Sequence, residues 1–283
     1  MPINKPLISS RILSEKMDDP CLIIIDTRFS LFDPDVGYNL YKKSHISGAI
    51  YAHLDNDLAG SITSSSGRHP LPDIENICSK LKIWGINNSS HIVVYDDNNS
   101  AFAARLWWMF KWLGHSNVSV LNGGFDDWCK NKYPTNSDIP IYKKGNFDCK
   151  ISNDITWSSE MIMNWLSYSK DFVLVDARDT NRFEGIEEPI DNIAGHIPGS
   201  INIPFTEFLR NDGSWKDKNE IISIWKHYNI NTLKEWGVMC GSGVTACHLL
   251  ISAEIANINP PKLYPGSWSE WISDKSRPII NER

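Results

Sequence analysis

Apolar and polar positions along the chain fall into two kinds of run. Residues 21–26 (Cys-Leu-Ile-Ile-Ile-Asp), 92–95 (Ile-Val-Val-Tyr) and 118–121 (Val-Ser-Val-Leu) are short, mostly apolar and rich in β-branched side chains, the pattern of strands covered on both faces. Longer stretches between them predict helices. Asp73 caps a helix running to Trp84, with Ile74, Ile77, Cys78 and Leu81 on one side and Gly85 as its stop. Residues 101–113 form an apolar helix ending at Gly114, and a short helix surrounds Trp128. Trp107 and Trp108 lie inside the apolar helix and read as core or domain-interface packing, because large aromatics dominate burial. Strands alternating with helices imply βαβ units. The expected fold class is therefore α/β, each domain a parallel β-sheet flanked by helices, with ligands gathering at the carboxyl ends of the strands.

After residue 130 the chain becomes polar and is broken by Pro134, Pro140 and Gly145, so residues 131–150 read as a connector. Beyond it the pattern returns. Phe172-Val173-Leu174-Val175-Asp176-Ala177-Arg178 repeats residues 22–28, and His196-Ile197-Pro198-Gly199-Ser200-Ile201 repeats residues 45–50. Leu263-Tyr264-Pro265-Gly266 with Trp271 repeats residues 121–124 with Trp128. An internal repeat of this length is a domain duplication, with domains at 1–130 and 151–283. Asp217 and Glu220 form a box-like helix start before Ile221, Ile222 and Trp225. The paired Asp-x-Arg and His-Ile-x-Gly signatures have a structural reading: Asp176 and Arg178 as a local ion pair, His196 packed or capping beside its glycine.

At 283 residues each half can bury a core. The 41% hydrophobic and 22% charged content suits a soluble globular protein. A net charge of -6 and a pI near 5.7 argue against nucleic acid or an anionic membrane as the main partner. No stretch approaches the ~20 apolar residues of a spanning helix and the start lacks an apolar leader core, so the chain reads as cytoplasmic. The six cysteines are scattered without C-x-x-C pairs, and neither a disulfide framework nor a zinc site is expected. The glycines lack G-x-G-x-x-G spacing, and no nucleotide, metal or organic cofactor is expected.

The chemistry concentrates at residues 235–247, which read as strand, loop and helix with Cys240-Gly241-Ser242-Gly243-Val244-Thr245 as the loop. Successive backbone N–H groups in such a loop can converge, and the helix start adds partial positive charge, giving a cradle for an anion. Lowering a thiol pKa from ~8.5 to ~6.5 makes the thiolate the main form at neutral pH and takes about 2.7 kcal/mol. A cysteine phosphatase would hold its phosphate with an arginine six residues after the cysteine. Ala246 stands there, which disfavours phosphate-ester hydrolysis. Aligning the halves sets Asp96 opposite Cys240. A carboxylate cannot replace a nucleophilic thiol, so the first copy is expected to be catalytically silent and to supply one wall of a cleft.

The Cys-Gly-Ser-Gly-Val-Thr run resembles the active-site loop of the rhodanese-like sulfurtransferases, and its Gly-Ser-Gly version is similar to that of the 3-mercaptopyruvate branch. The paired signatures extend that resemblance over both halves as two tandem rhodanese-like domains. The thiosulfate branch carries basic residues where this chain has Gly241 and Ser242. The resemblance implies sulfur transfer from 3-mercaptopyruvate through a Cys240 persulfide, with pyruvate released and thioredoxin or another small thiol as acceptor. It maps a Ser, His and Asp relay onto Ser242, His69 and Asp55, so that two domains would complete one site. It places Gly241, Gly243, Val244 and Thr245 around the substrate and Arg182 on its carboxylate. The family also has an arginine after Glu-Pro. Here Glu188-Pro189 is followed by Ile190, and Arg68 is expected to supply the second cation. Cys247 reads as a packed thiol. Thiosulfate as donor, or a non-catalytic binding module on the same fold, are the competing readings.

Overall fold

The computed structural model describes residues 5–168, 173–230, 232–233 and 235–281. The chain forms two compact units. Unit 1 comprises Met1–Gly60, Pro72–Ser152 and Leu209–Trp215, and unit 2 comprises Ser61–Leu71, Asn153–Phe208 and Lys216–Arg283.

In unit 1 the strands are β1 (Leu7–Ile8), β2 (Leu22–Asp26), β3 (His45–Ile46), β4 (Ile50–Tyr51), β5 (His91–Tyr95), β6 (Val118–Leu121) and β7 (Thr135–Asn136). The helices are α1 (Ser10–Ser14), α2 (Asp35–Lys43), α3 (Leu54–Asp57), α4 (Ile74–Ile83), α5 (Ala103–Trp112) and α6 (Gly124–Lys130). The main sheet has the order β1-β6-β5-β2-β4 and every pairing is parallel. All residues of β2, β5 and β6 are buried, which is why these strands are apolar throughout instead of alternating. Trp107 and Trp108 are buried in α5, and the Asp73 side chain caps α4 through the Asn76 N–H at 3.0 Å.

Unit 2 repeats the design with β8 (Leu174–Asp176), β9 (Ile201–Asn202), β10 (Gly237–Met239) and β11 (Lys262–Leu263). Its helices are α7 (Ser159–Tyr168), α8 (Thr180–Phe183), α9 (Lys218–His227), α10 (Ala246–Ala256) and α11 (Ser267–Trp271). The parallel sheet runs β11-β10-β8-β9, the order of β6-β5-β2-β4. Phe172, read as the start of the β8 run, lies outside the described residues. Helix α10 is buried nearly all round, as its apolar composition requires, and α9 opens on the Asp217–Glu220 capping box.

The duplicated signatures are anchors. The Arg28 guanidinium pairs with Asp26 at 2.7 Å and donates to the Ser44 carbonyl at 2.7 Å. Arg178 pairs with Asp176 at 2.8 Å and donates to the Gly195 carbonyl at 2.7 Å. His45 and His196 sit beside these carbonyls, each with Nδ1 bonded to a helix-end carbonyl, Tyr41 and Phe183 respectively. A buried pair tied to backbone on both sides fixes where the strand hands over to the following loop.

One expectation changes. Cys78 on α4 and Cys149 form a disulfide, with Cα atoms 6.2 Å apart. Their 71-residue separation gives no spacing signal, and the bridge exists because the segment read as a connector packs along unit 1. There the Gly145 N–H donates to Lys82 O at 2.7 Å, that of Phe147 to Ile86 O at 3.1 Å, and β7 pairs with β3. Phe147 is buried. Among the described residues no helix is long and apolar enough to cross a membrane.

Candidate active site

Strand β10 ends at Met239 and α10 begins at Ala246, leaving the Cys240 loop at the carboxyl edge of the unit 2 sheet. Gly243 turns the chain with φ +73°, and a Cβ there would fall 2.3 Å from the Pro265 carbonyl oxygen. Only glycine meets both demands. The start of α11 holds the loop from behind: the Cys240 N–H donates to Ser267 Oγ at 3.1 Å, while the Trp268 and Ser269 N–H groups donate to the carbonyls of Cys240 and Gly241 at 3.0 and 2.9 Å. Cys240 itself is 2% exposed.

The equivalent loop of unit 1 closes around a side chain of its own. Asp96 Oδ1 accepts the N–H groups of Asn98 and Ser100, both at 2.9 Å, and Oδ2 those of Phe102 and Ala103, both at 2.8 Å. The first copy thus fills its own cradle with a carboxylate. The same intervals counted from Cys240 reach Ser242, Val244, Ala246 and Cys247. The N–H groups of Gly241, Ser242, Val244 and Thr245 donate to no acceptor among the described residues. Peptide donors of this kind are satisfied by a bound anion or by water.

The segment Ser61–Leu71 belongs to unit 2 and brings two candidates to this loop. His69, 5% exposed, has Nδ1 at 2.7 Å from Ser242 Oγ. Its burial departs from the solvated surface loop that its small, polar neighbours suggest, because Ser66 and Gly67 lie close to the start of α11. Arg68 pairs with Asp191, and its N–H donates to Ser269 Oγ at 3.0 Å. Arg182, on α8, pairs with Glu188 at 2.8 Å and with the same Asp191 at 3.1 Å. Both guanidiniums face the loop: a Cβ on Gly241 would lie 2.9 Å from an Arg68 Nη and 3.4 Å from an Arg182 Nη. Two cations therefore stand beside the residue that follows Cys240.

The partners of Arg182 are Glu188 and Asp191 and not its sequence neighbours Glu184 and Glu187. Glu188 also accepts the N–H groups of Ile190 and Asp191 at 3.1 and 3.0 Å. The Glu-Pro pair starting this turn was the available signal for both carboxylates. Asp55 lies in unit 1, exposed, in the first turn of α3. Val244 is buried and Thr245 is the residue before α10. Cys247 is fully buried, its Sγ 3.4 Å from the Gly243 carbonyl, which is a packed thiol.

The rhodanese-like domain family matches residues 9–131 and again 162–274. The chain belongs to the rhodanese-like family. A protein named "Probable 3-mercaptopyruvate sulfurtransferase" from Pseudomonas aeruginosa is 37% identical over 281 residues, covering 96% of this chain and 97% of the relative. The thiosulfate sulfurtransferase of Rattus norvegicus is 32% identical over 277 residues, covering 95% and 92%. The solved 3-mercaptopyruvate sulfurtransferase from Leishmania major superposes with a TM-score of 0.87 at 29% identity, covering 98% of this chain and 77% of that one. As a rhodanese-like protein the chain carries two copies of the domain, one with a thiol and one with a carboxylate after the central strand.

Proposed function

We propose that this protein is a sulfurtransferase that takes sulfur from 3-mercaptopyruvate onto Cys240 and passes it to a small thiol or to a thiol protein such as thioredoxin. The observation carrying this reading is the Ser242–His69 hydrogen bond of 2.7 Å, made two residues after Cys240 in the same loop. Cys240 thiolate attacks the mercapto sulfur and the S–S bond forms. The C–S bond breaks, its electron pair becomes the enolate of pyruvate, and the methylene carbon takes up a proton delivered through Ser242 and His69. Arg182 and Arg68 hold the substrate carboxylate, Arg68 standing in for the family arginine at Ile190.

Removing the Ser242 hydroxyl takes away the proton path and leaves the nucleophile. Ser242→Ala is expected to lower kcat with 3-mercaptopyruvate about 100-fold, read from pyruvate release in steady state. An unchanged kcat would remove Ser242 from the relay. Arg68→Ala is expected to raise KM for the donor about tenfold with a smaller change in kcat, as loss of a carboxylate contact does. An unchanged KM would leave Arg182 as the sole clamp.

Thiosulfate is the second reading. Its support is the rat relative's name together with the two guanidiniums beside Gly241, which suit sulfonate oxygens as well as a carboxylate. Turnover measured with both donors decides the choice, and faster transfer from thiosulfate overturns the first.

A further inference from the structure

Beside the Cys240 loop, unit 2 has a groove of about 440 Å³. One end is Arg68, whose guanidinium also faces Gly241; the walls are Ile62, Ile190, Ile193 and Ile272, and Lys275 lies on the rim. Ser269 joins the two places, lining the groove while its N–H holds the Gly241 carbonyl. The volume is that of a small-molecule site with an apolar body and few polar groups. Its charge is cationic, because the single carboxylate, Asp191, is already shared by Arg68 and Arg182. The Arg68 side chain is 26% exposed and lines the groove, so this cation can be approached from there by an anionic group. A ligand that fits must carry an anionic acceptor at the Arg68 end and an apolar substituent along the isoleucines.

We propose that this groove binds the sulfur acceptor, and that the acceptor class is a 2-mercaptocarboxylate with an apolar substituent. The inference rests on the reading of Cys240 as the sulfur carrier. The acceptor carboxylate meets Arg68, its chain lies on Ile62, Ile190, Ile193 and Ile272, and its thiol is held on the Gly241 side. The acceptor thiol gives its proton to water and the thiolate attacks the terminal sulfur of the Cys240 persulfide. A sulfur–sulfur bond forms in the acceptor, and the bond to Cys240 Sγ breaks with its electron pair left on Cys240 as thiolate. The product is the acceptor persulfide, and no oxidant or reductant is consumed. Ile190 gains a purpose here: where the family arginine would put a charge in the wall, this chain has an apolar surface.

The test uses the full chain and separates the two half-reactions. The donor half is followed as the gain of one sulfur atom on the Cys240 peptide by mass spectrometry. The acceptor half is then run with 2-mercaptopropionate, 2-mercaptobutanoate, 2-mercaptopentanoate and 2-mercaptohexanoate, and with alkanethiols of matching length. Each added methylene is expected to raise acceptor kcat/KM about fourfold, and each alkanethiol to be about tenfold poorer than its carboxylate counterpart. Ile62 is 69% exposed, so Ile62→Asp alters the groove without opening the core, and it is expected to flatten the series. A flat series on wild-type persulfide overturns the groove and leaves the sulfurtransferase reading standing. A rise that Ile62→Asp does not alter, or alkanethiols equal to the acids, overturns it as well. Failure of Cys240 to gain sulfur overturns both.

Discussion

With serine in place of Cys240, neither donor is expected to leave sulfur on the chain, and pyruvate release from 3-mercaptopyruvate should fall to the uncatalysed level, a loss on the order of 10⁴-fold or more. The reason is chemical before it is structural. A serine hydroxyl is a weak nucleophile toward sulfur at neutral pH and cannot form a stable sulfur-loaded intermediate. The loop should survive the change, since its shape depends on Gly243 packed against Pro265 and on the hydrogen bonds from α11. The unfolding free energy should accordingly shift by no more than about 1 kcal/mol. Cys247→Ser is the companion measurement. Its thiol is packed under the Gly243 carbonyl, so sulfur should still load on Cys240. Retained turnover in Cys240→Ser, or sulfur found on Cys247, would end the proposal.

The second large effect is expected in the copy without a thiol. Asp96→Ala removes the acceptor of four N–H groups, three of them buried. Leaving such donors unpaired costs about 1–3 kcal/mol each before relaxation and water entry, so a loss of about 4 kcal/mol in unfolding free energy is expected. If the cradle is an anion site, sulfate should enter the vacated loop and restore part of that loss, about 2.7 kcal/mol at 100 times its Kd. The same sulfate series on the wild-type chain corrects for general salting effects. Recovery no greater than in wild type would mean the unit 1 loop does not bind anions.

A pH series tests the same carboxylate. Burial pushes the Asp96 carboxyl up to about 6, against the downward pull of the Ala103, Asn98 and Phe102 N–H groups. An acid whose folded pKa lies above its unfolded value of ~3.9 binds its proton more tightly when folded. Its stabilising contribution is complete below about pH 4 and disappears as the pH rises through 6. Measured against Asp96→Asn, which has no such titration, the wild-type chain should lose about 3 kcal/mol of relative stability across that interval. A flat difference would show that the four amides offset burial completely.

Much of the fold is legible in the linear pattern. Fully apolar β-branched runs mark the central strands because a parallel sheet buries both faces, and the second pass through the same pattern announces the duplication. The Asp73 cap, the Asp217–Glu220 box and the Gly85 stop are also readable, since each acts within one helical turn. The site is legible only in part. Cys240 and Ser242 stand out because glycine is demanded on both sides, but His69 looks like a residue of a solvated loop. Nothing local shows that Ser61–Leu71 belongs with the second half of the chain, or that Leu209–Trp215 belongs with the first. The Cys78–Cys149 bridge leaves no mark in the sequence for the same reason.

By itself the sequence determined the strand and helix succession, the doubled domain, the loop that carries the thiol and the carboxylate that replaces it in the first copy. These features follow from period, turn geometry and capping, which act over a few residues. Tertiary structure alone decided that His69 reaches Ser242, that Arg68 and Arg182 share Asp191 beside Gly241, and that Cys149 meets Cys78. Each of those depends on segments far apart in the chain meeting at angstrom precision, and that meeting is set by how whole elements pack, which no local pattern of side chains records.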